Sequence, residues 1–284
     1  MEGGSNPKMQ THTHTGLAAT QGRKWLHDQA IVEAYGPPDG PATERRLKVT
    51  VLKTLRAAGI EEPPEEHTAP GAANAEKLAC NVSRAKHTIA ALGECNRWQY
   101  FATLTISPDK WDRTDLRAYW ASLGRWLNRQ RVQYLLIPER HADGQAWHMH
   151  GLLSGVPMEG LHEVQPGEIT GAGIRAKVDA GRTVYDWPGY RNRYGWCELE
   201  PVRSRQAVAA YCTKYATKDL ARSVSQLGAH MYYRSRGLSA PAKIATGPAP
   251  EMEARPAYEN DYCKVFWLPD TPDNRAQLRQ QLLK

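Results

Sequence analysis

The chain has 284 residues, 41% of them hydrophobic, with 37 Lys and Arg against 30 Asp and Glu for a formal charge of +7. This suits one catalytic-size domain with appendages. No run approaches the roughly 18 apolar residues of a membrane span, and the N-terminus lacks the apolar core of a signal peptide. Five cysteines, widely spaced and with no C-x-x-C pair, argue against a disulfide scaffold or zinc ribbon and for a reducing, cytoplasmic setting.

Charge is unevenly placed. Residues 1–95 hold 11 basic and 11 acidic side chains and residues 243–284 six of each, so the excess lies in residues 96–242, at 20 basic against 13 acidic. A basic surface confined to that segment suits a polyanionic substrate. No G-x-x-x-x-G-K-[ST] motif is present, which excludes a P-loop helicase motor.

In chain order, residues 1–40 are rich in Gly, Pro, Thr and His and read as a flexible tail with one helix near Trp25–Ala34. A His-x-His at His12 and His14 has no apolar run around it and no carboxylate placed beside it, so it reads as solvated. Pro41–Ala58 is expected to form an amphipathic helix, followed by a Pro- and Glu-rich linker. Ala75–Leu92 is a better helix, with Leu78, Val82, Ala85, Ile89 and Leu92 at three- and four-residue steps. Gln99–Ser107 alternates like a half-buried strand. Asp115–Gln130 follows as a helix whose stripe of Leu116, Tyr119, Trp120, Leu123, Trp126 and Leu127 is core. Between Gly155 and Gly181 a polar stretch reads as a surface insertion. Arg193–Val202 reads as another strand, and beyond Pro241 only Val265–Leu268 and Ala276–Leu283 look structured. The expected organisation is an extension (1–75), a catalytic domain (76–242) and a C-terminal tail (243–284).

Two stretches carry chemistry. In Tyr134–Ser154, two apolar runs flank Asp143-Gly144, a pair preferred in two-residue hairpin turns. Counting back from such a turn sets Arg140 against Trp147 and Glu139 against His148. Side chains alternate along a strand, so His148 and His150 share one face with Glu139, while Arg140, Trp147 and Met149 take the other. Two imidazoles and a carboxylate on one face make a candidate divalent-metal site with open positions. In Ser204–Ala221, an alanine-rich helix places Tyr211 and Tyr215 four residues apart, with Lys214 and Lys218 three residues after each. A nearby ammonium favours a phenolate, and a metal offsets charge on a phosphate under attack. Further on, Tyr232, Arg234 and Arg236 interleave aromatic and cationic groups in a way that suits single-stranded nucleic acid.

The order YFATLTIS, PERHADGQAWHMHGLLSGVP, YCTKYATKDL, YYRSRGLSAP resembles the HUH endonucleases that initiate rolling-circle replication. The closest group is the gene II-like replication-associated proteins of filamentous phages and related plasmids and prophages. The resemblance covers residues 78–242. It implies an α+β fold, with a central antiparallel sheet of ferredoxin-like type and flanking helices. It further implies metal ligation (Mg²⁺ or Mn²⁺) by Glu139, His148 and His150, and nucleophilic attack by Tyr211 and Tyr215 with Lys214 and Lys218 accompanying them. Thr103 and Thr105 fall in a structural or DNA-contacting motif. The implied substrate is single-stranded or extruded origin DNA, nicked and rejoined through a 5′-phosphotyrosine, with a host helicase and polymerase as partners and no membrane. Two other readings stay open: a transposase or mobilisation relaxase with the same chemistry, and a non-catalytic DNA-binding regulator. The origin sequence and oligomeric state are not encoded in any motif.

Overall fold

The computed structural model describes residues 23–57, 70–141, 146–168, 171–204, 207, 208, 211, 230–259 and 263–283, and of these the side chains of 23–28, 53–57 and 70–80 are left aside. In chain order the first half contains β1 (Arg23–Tyr35), β2 (Arg46–Ala57), α1 (Pro70–Cys95), β3 (Tyr100–Thr105), α2 (Leu116–Arg129), β4 (Gln133–Arg140) and β5 (Trp147–Ser154). The second half contains β6 (His162–Glu163), α3 (Ala172–Asp179), β7 (Tyr185–Asp186), α4 (Pro188–Arg191), β8 (Cys197–Pro201), β9 (Tyr233–Arg234), β10 (Ala242–Gly247), β11 (Tyr258–Glu259), β12 (Cys263–Pro269) and α5 (Pro272–Leu282). The fold is α+β, built on two antiparallel sheets with flanking helices.

The larger sheet runs β6-β7-β8-β3-β5-β4-β9, with β3 and β5 at its centre. One face is covered by α2. Asp115 caps this helix, its side chain accepting from Ala118 N at 2.9 Å. Tyr119, Leu123, Trp126 and Leu127 pack there against Leu104, Leu136, Met149 and Leu199. The expected strand at 99–107 and helix at 115–130 are therefore both present, with the stripe inward as its spacing requires. The opposite face divides in two. Along one part, Val82, Ala85, Ile89 and Leu92 of α1, together with Val208, pack over Leu135, Ile137 and Leu152. The remainder carries polar side chains and is where the candidate site lies. The 155–181 stretch is mostly exposed, as expected of an insertion, but β6 and β7 extend the sheet edge and Val156 and Val164 are buried.

The smaller sheet corrects the reading of both ends of the chain. It runs β10-β1-β2-β12-β11, so the helices expected at Trp25–Ala34 and Pro41–Ala58 are strands, with only a short 3-10 turn at Ala42–Glu44. The physical reason is non-local pairing. β2 is sandwiched between β1 and β12, with Val49 opposite both Val32 and Phe266. Leu47, Val49 and Val51 then face one core with Leu278 and Leu282 of α5. The alternation of apolar and polar residues in Leu47–Val51 is a strand signal, and β-branched residues favour that state. The C-terminal segment is correspondingly more structured than expected, since β10 and β11 join the sheet as well as β12 and α5. Arg46 of β2 pairs with Glu94 of α1 at 2.6 Å, one tie between the two sheets' helices and strands. The tail at 1–22 and the turn at Asp143-Gly144 lie outside the described residues.

Candidate metal centre

β4 and β5 pair in the register that counting back from Asp143-Gly144 predicts. Arg140 is opposite Trp147, Glu139 opposite His148 and Ile137 opposite His150, and His141 N donates to Ala146 O at 2.8 Å at the open end of the hairpin. Alternation sends Trp147 and Met149 into the core beneath α2, with the Arg140 guanidinium 4.4 Å from the Trp147 ring centre. His148, His150 and Glu139 project from the other face. Their side chains are only 14%, 11% and 20% exposed.

The two imidazoles converge on one carboxylate oxygen. His148 Nε2 lies 3.1 Å and His150 Nε2 2.7 Å from Glu139 Oε2, and ligand atoms of all three residues lie within 4.8 Å of one another. An ion bound at about 2.1 Å to each would need donors roughly 3–4 Å apart, so the set fits a single small divalent cation. Mixed imidazole and carboxylate donors do not select one metal by type alone. Gly151, next after His150, is needed for this closeness. A Cβ there would overlap the carbonyl oxygen of Leu135 and press on Leu136 Cα at 2.8 Å, forcing β5 away from β4.

β3 supplies the support. Thr103 is opposite His150 and Thr105 opposite His148, and Thr103 Oγ1 is 3.2 Å from His150 Nδ1. With Nδ1–H donating to the hydroxyl, Nε2 keeps its lone pair for a metal. His141 stands edge-on to His148, ring centres 4.4 Å apart, and His148 edge-on to His150 at 4.5 Å.

Tyr211 is the described member of the tyrosine pair. It is helical and half-buried, its ring 4.5 Å from that of Phe101, and its hydroxyl donates to Ala102 O at 3.1 Å. Phe101 shares the face of Thr103 and Thr105 by alternation, so Tyr211 lies over the same side of the sheet as the metal set. Tyr215, Lys214 and Lys218 lie outside the described residues. Arg234 is exposed on β9 opposite Leu135, and Arg236 is exposed just beyond it. The fold therefore brings Thr103 and Thr105 beside the histidines and leaves the two arginines toward the far end of β4.

Two further features of this face were not singled out from sequence. On β8, Glu198 lies opposite Thr103 and Glu200 opposite Phe101. Lys177 of α3 pairs with both, and Arg182 with Glu200. Burial pushes the Glu198 carboxyl up, with Lys177 pulling against it. The alternation in Cys197-Glu198-Leu199-Glu200 is the signal that would have found this pair. The second feature is Trp196, which precedes that strand and is exposed.

Residues 99–220 match a family model of replication-associated proteins, described as ORF2 or gene II protein, and that span contains the metal set and Tyr211. No curated protein and no solved structure matches the chain. Among the described residues, no helix is long and apolar enough to cross a membrane.

Proposed function

We propose that this protein is a rolling-circle replication initiator of the HUH type, a metal-dependent endonuclease and strand transferase seated in residues 76–242. The observation that carries the reading is the convergence of Glu139, His148 and His150 on the sheet face over which Tyr211 lies. All four fall inside the stretch matching a replication-associated family.

Glu139, His148 and His150 would hold Mg²⁺ or Mn²⁺, which when bound supplies Lewis-acid polarisation of a phosphodiester oxygen. The basic middle of the chain binds a single-stranded or extruded origin segment. A tyrosine, Tyr211 or Tyr215, loses its phenolic proton and attacks the phosphorus. Lys214 and Lys218 favour the phenolate by charge. The P–O3′ bond breaks, leaving a 3′-hydroxyl for a host polymerase and a 5′-phosphotyrosine on the protein. The link conserves bond energy, so a later 3′-hydroxyl can reverse it and close a circle. A second tyrosine lets one subunit cut the regenerated origin while the first is still occupied.

An adduct assay tests this. The full chain with Mn²⁺ and single-stranded oligonucleotides from its own replicon is resolved on a denaturing gel. A shifted band is expected that requires Mn²⁺, survives Tyr211→Phe or Tyr215→Phe singly, and disappears in the double variant and in His148→Ala. A band that persists in the double variant would place the nucleophile elsewhere. Tight binding with no band on any strand would favour a non-catalytic DNA-binding regulator.

A further inference from the structure

We propose that Trp196 is a stacking shelf for one base of the bound single strand, a nucleobase subsite beside the metal centre; this rests on the reading of the substrate as single-stranded DNA. Among the described residues Trp196 is one of four large hydrophobic side chains left in water, at 57% exposed. An indole is costly to leave there, and its position gives a use for it.

Backbone pairing places it. Thr105 N donates to Trp196 O at 2.8 Å, and Ser107 N to Tyr194 O at 2.8 Å. Trp196 is thus opposite Thr105, which is itself opposite His148. Adjacent strands lie about 4.8 Å apart, so Trp196 stands about 10 Å from His148 along one row of the sheet. Its neighbour Cys197 is buried on the α2 side, which by alternation gives Trp196 the face of Thr105, the histidines and Glu139. A strand whose phosphate sits at the metal set would carry a flanking nucleotide across this row.

The shelf is also built rigidly. Gly195 has φ +149°, and a Cβ there would overlap Thr105 O and Ser107 N. Only glycine lets the chain close onto β3 at this point, and the closure holds the backbone of Trp196 still. A side chain with two torsions on a fixed backbone loses little entropy on stacking. The surroundings suit a polyanion. The Arg191 guanidinium lies 5.9 Å from the indole centre, held by Asp186 at 2.7 Å, and Arg193 is exposed nearby. An indole with a cation at its rim fits a base and its phosphate better than it fits an apolar protein surface.

The test is a coupled scan of protein and DNA. The full-length protein is titrated, in EDTA so that no strand is cut, with labelled single-stranded oligonucleotides carrying one abasic site at each position in turn. Anisotropy gives each Kd. Trp196→Ala is expected to bind the intact strand about tenfold more weakly, the loss of one stacked base. Trp196→Phe should stay within about threefold, and the salt dependence should not change, since stacking releases no counterions. Removing the base at one position should cost the wild type the same tenfold and cost Trp196→Ala nothing further. Trp196→Ala binding like wild type, or losing as much as wild type at every abasic position, would overturn the shelf. Should the alanine variant fold poorly, the wild-type scan compared with that of Trp196→Phe decides, because a flat wild-type scan has the same overturning force. Because no cleavage enters, binding and coupling without an adduct would sink the nuclease reading and leave the shelf standing. A wild type that binds no single strand would overturn both.

Discussion

Replacing Thr103 with Val removes one hydroxyl from the middle of β3 and keeps a β-branched side chain of nearly the same shape. The hydroxyl lies 3.2 Å from His150 Nδ1, on the side of the ring away from the carboxylate. Partners of this kind hold a ligating imidazole in one tautomer, and their loss typically costs 10- to 100-fold in metal affinity or activity. The contact is at the long end for a nitrogen–oxygen hydrogen bond, so the lower figure is expected, about tenfold or ~1.4 kcal/mol in Mn²⁺ affinity. Stability should fall by only about 1 kcal/mol, the net worth of one hydrogen bond. Free Mn²⁺ is followed by electron paramagnetic resonance during titration of the full chain without DNA, so the readout does not depend on nicking. Thr103→Ser should restore binding, and His150→Ala should abolish it. A folded Thr103→Val protein that binds Mn²⁺ within twofold of wild type would refute the support role. A wild type with no Mn²⁺ affinity would refute the centre itself.

Three more outcomes are expected. Gly151→Ala should destabilise the chain by about 1–3 kcal/mol in urea unfolding, as overpacking does, and weaken Mn²⁺ binding at the same time; normal affinity in this variant would show that the β4–β5 spacing does not set the site. Asp270, whose side chain is fully buried, is held below the usual carboxylate value by Arg275, which bonds it at 2.5 and 2.8 Å. A depressed carboxylate contributes stability above the unfolded value near 4 and loses it as pH falls through the folded value. Asp270→Asn should therefore cost about 3 kcal/mol at pH 7 and distinctly less at pH 3, and equal costs at both would count against this pair. Phe266→Ala should cost about 3 kcal/mol and lower amide protection in β2 as well as in β12, since Phe266 is opposite Val49; protection lost in β12 alone would mean that the two ends of the chain do not share a core.

The candidate centre was legible in the sequence because its geometry is local. One short hairpin holds all three ligands, and a strand's two-residue period decides which side chains share a face. Arg140 against Trp147 and Glu139 against His148 follow from counting alone. The same holds for α2, where Tyr119, Leu123, Trp126 and Leu127 face inward because a 3.6-residue period puts them on one side. Helix propensity misled at Trp25–Ala34 and Pro41–Ala58, where partners outweigh local preference: β1 and β2 are strands beside β10 and β12, segments from the opposite end of the chain.

Pairing across β3 is likewise invisible to a local reading. The hydroxyl of Thr103 reaches His150, Tyr211 settles on Phe101, and Trp196 lines up with Thr105 and His148. Each contact joins segments separated by long stretches of chain. A sequence on its own determines what one strand or helix does with its own faces, because that depends on backbone periods of two and 3.6 residues. Which strands become neighbours, and so which residues stand behind the metal ligands, is decided by the burial of whole faces against one another, and that required the folded sheet.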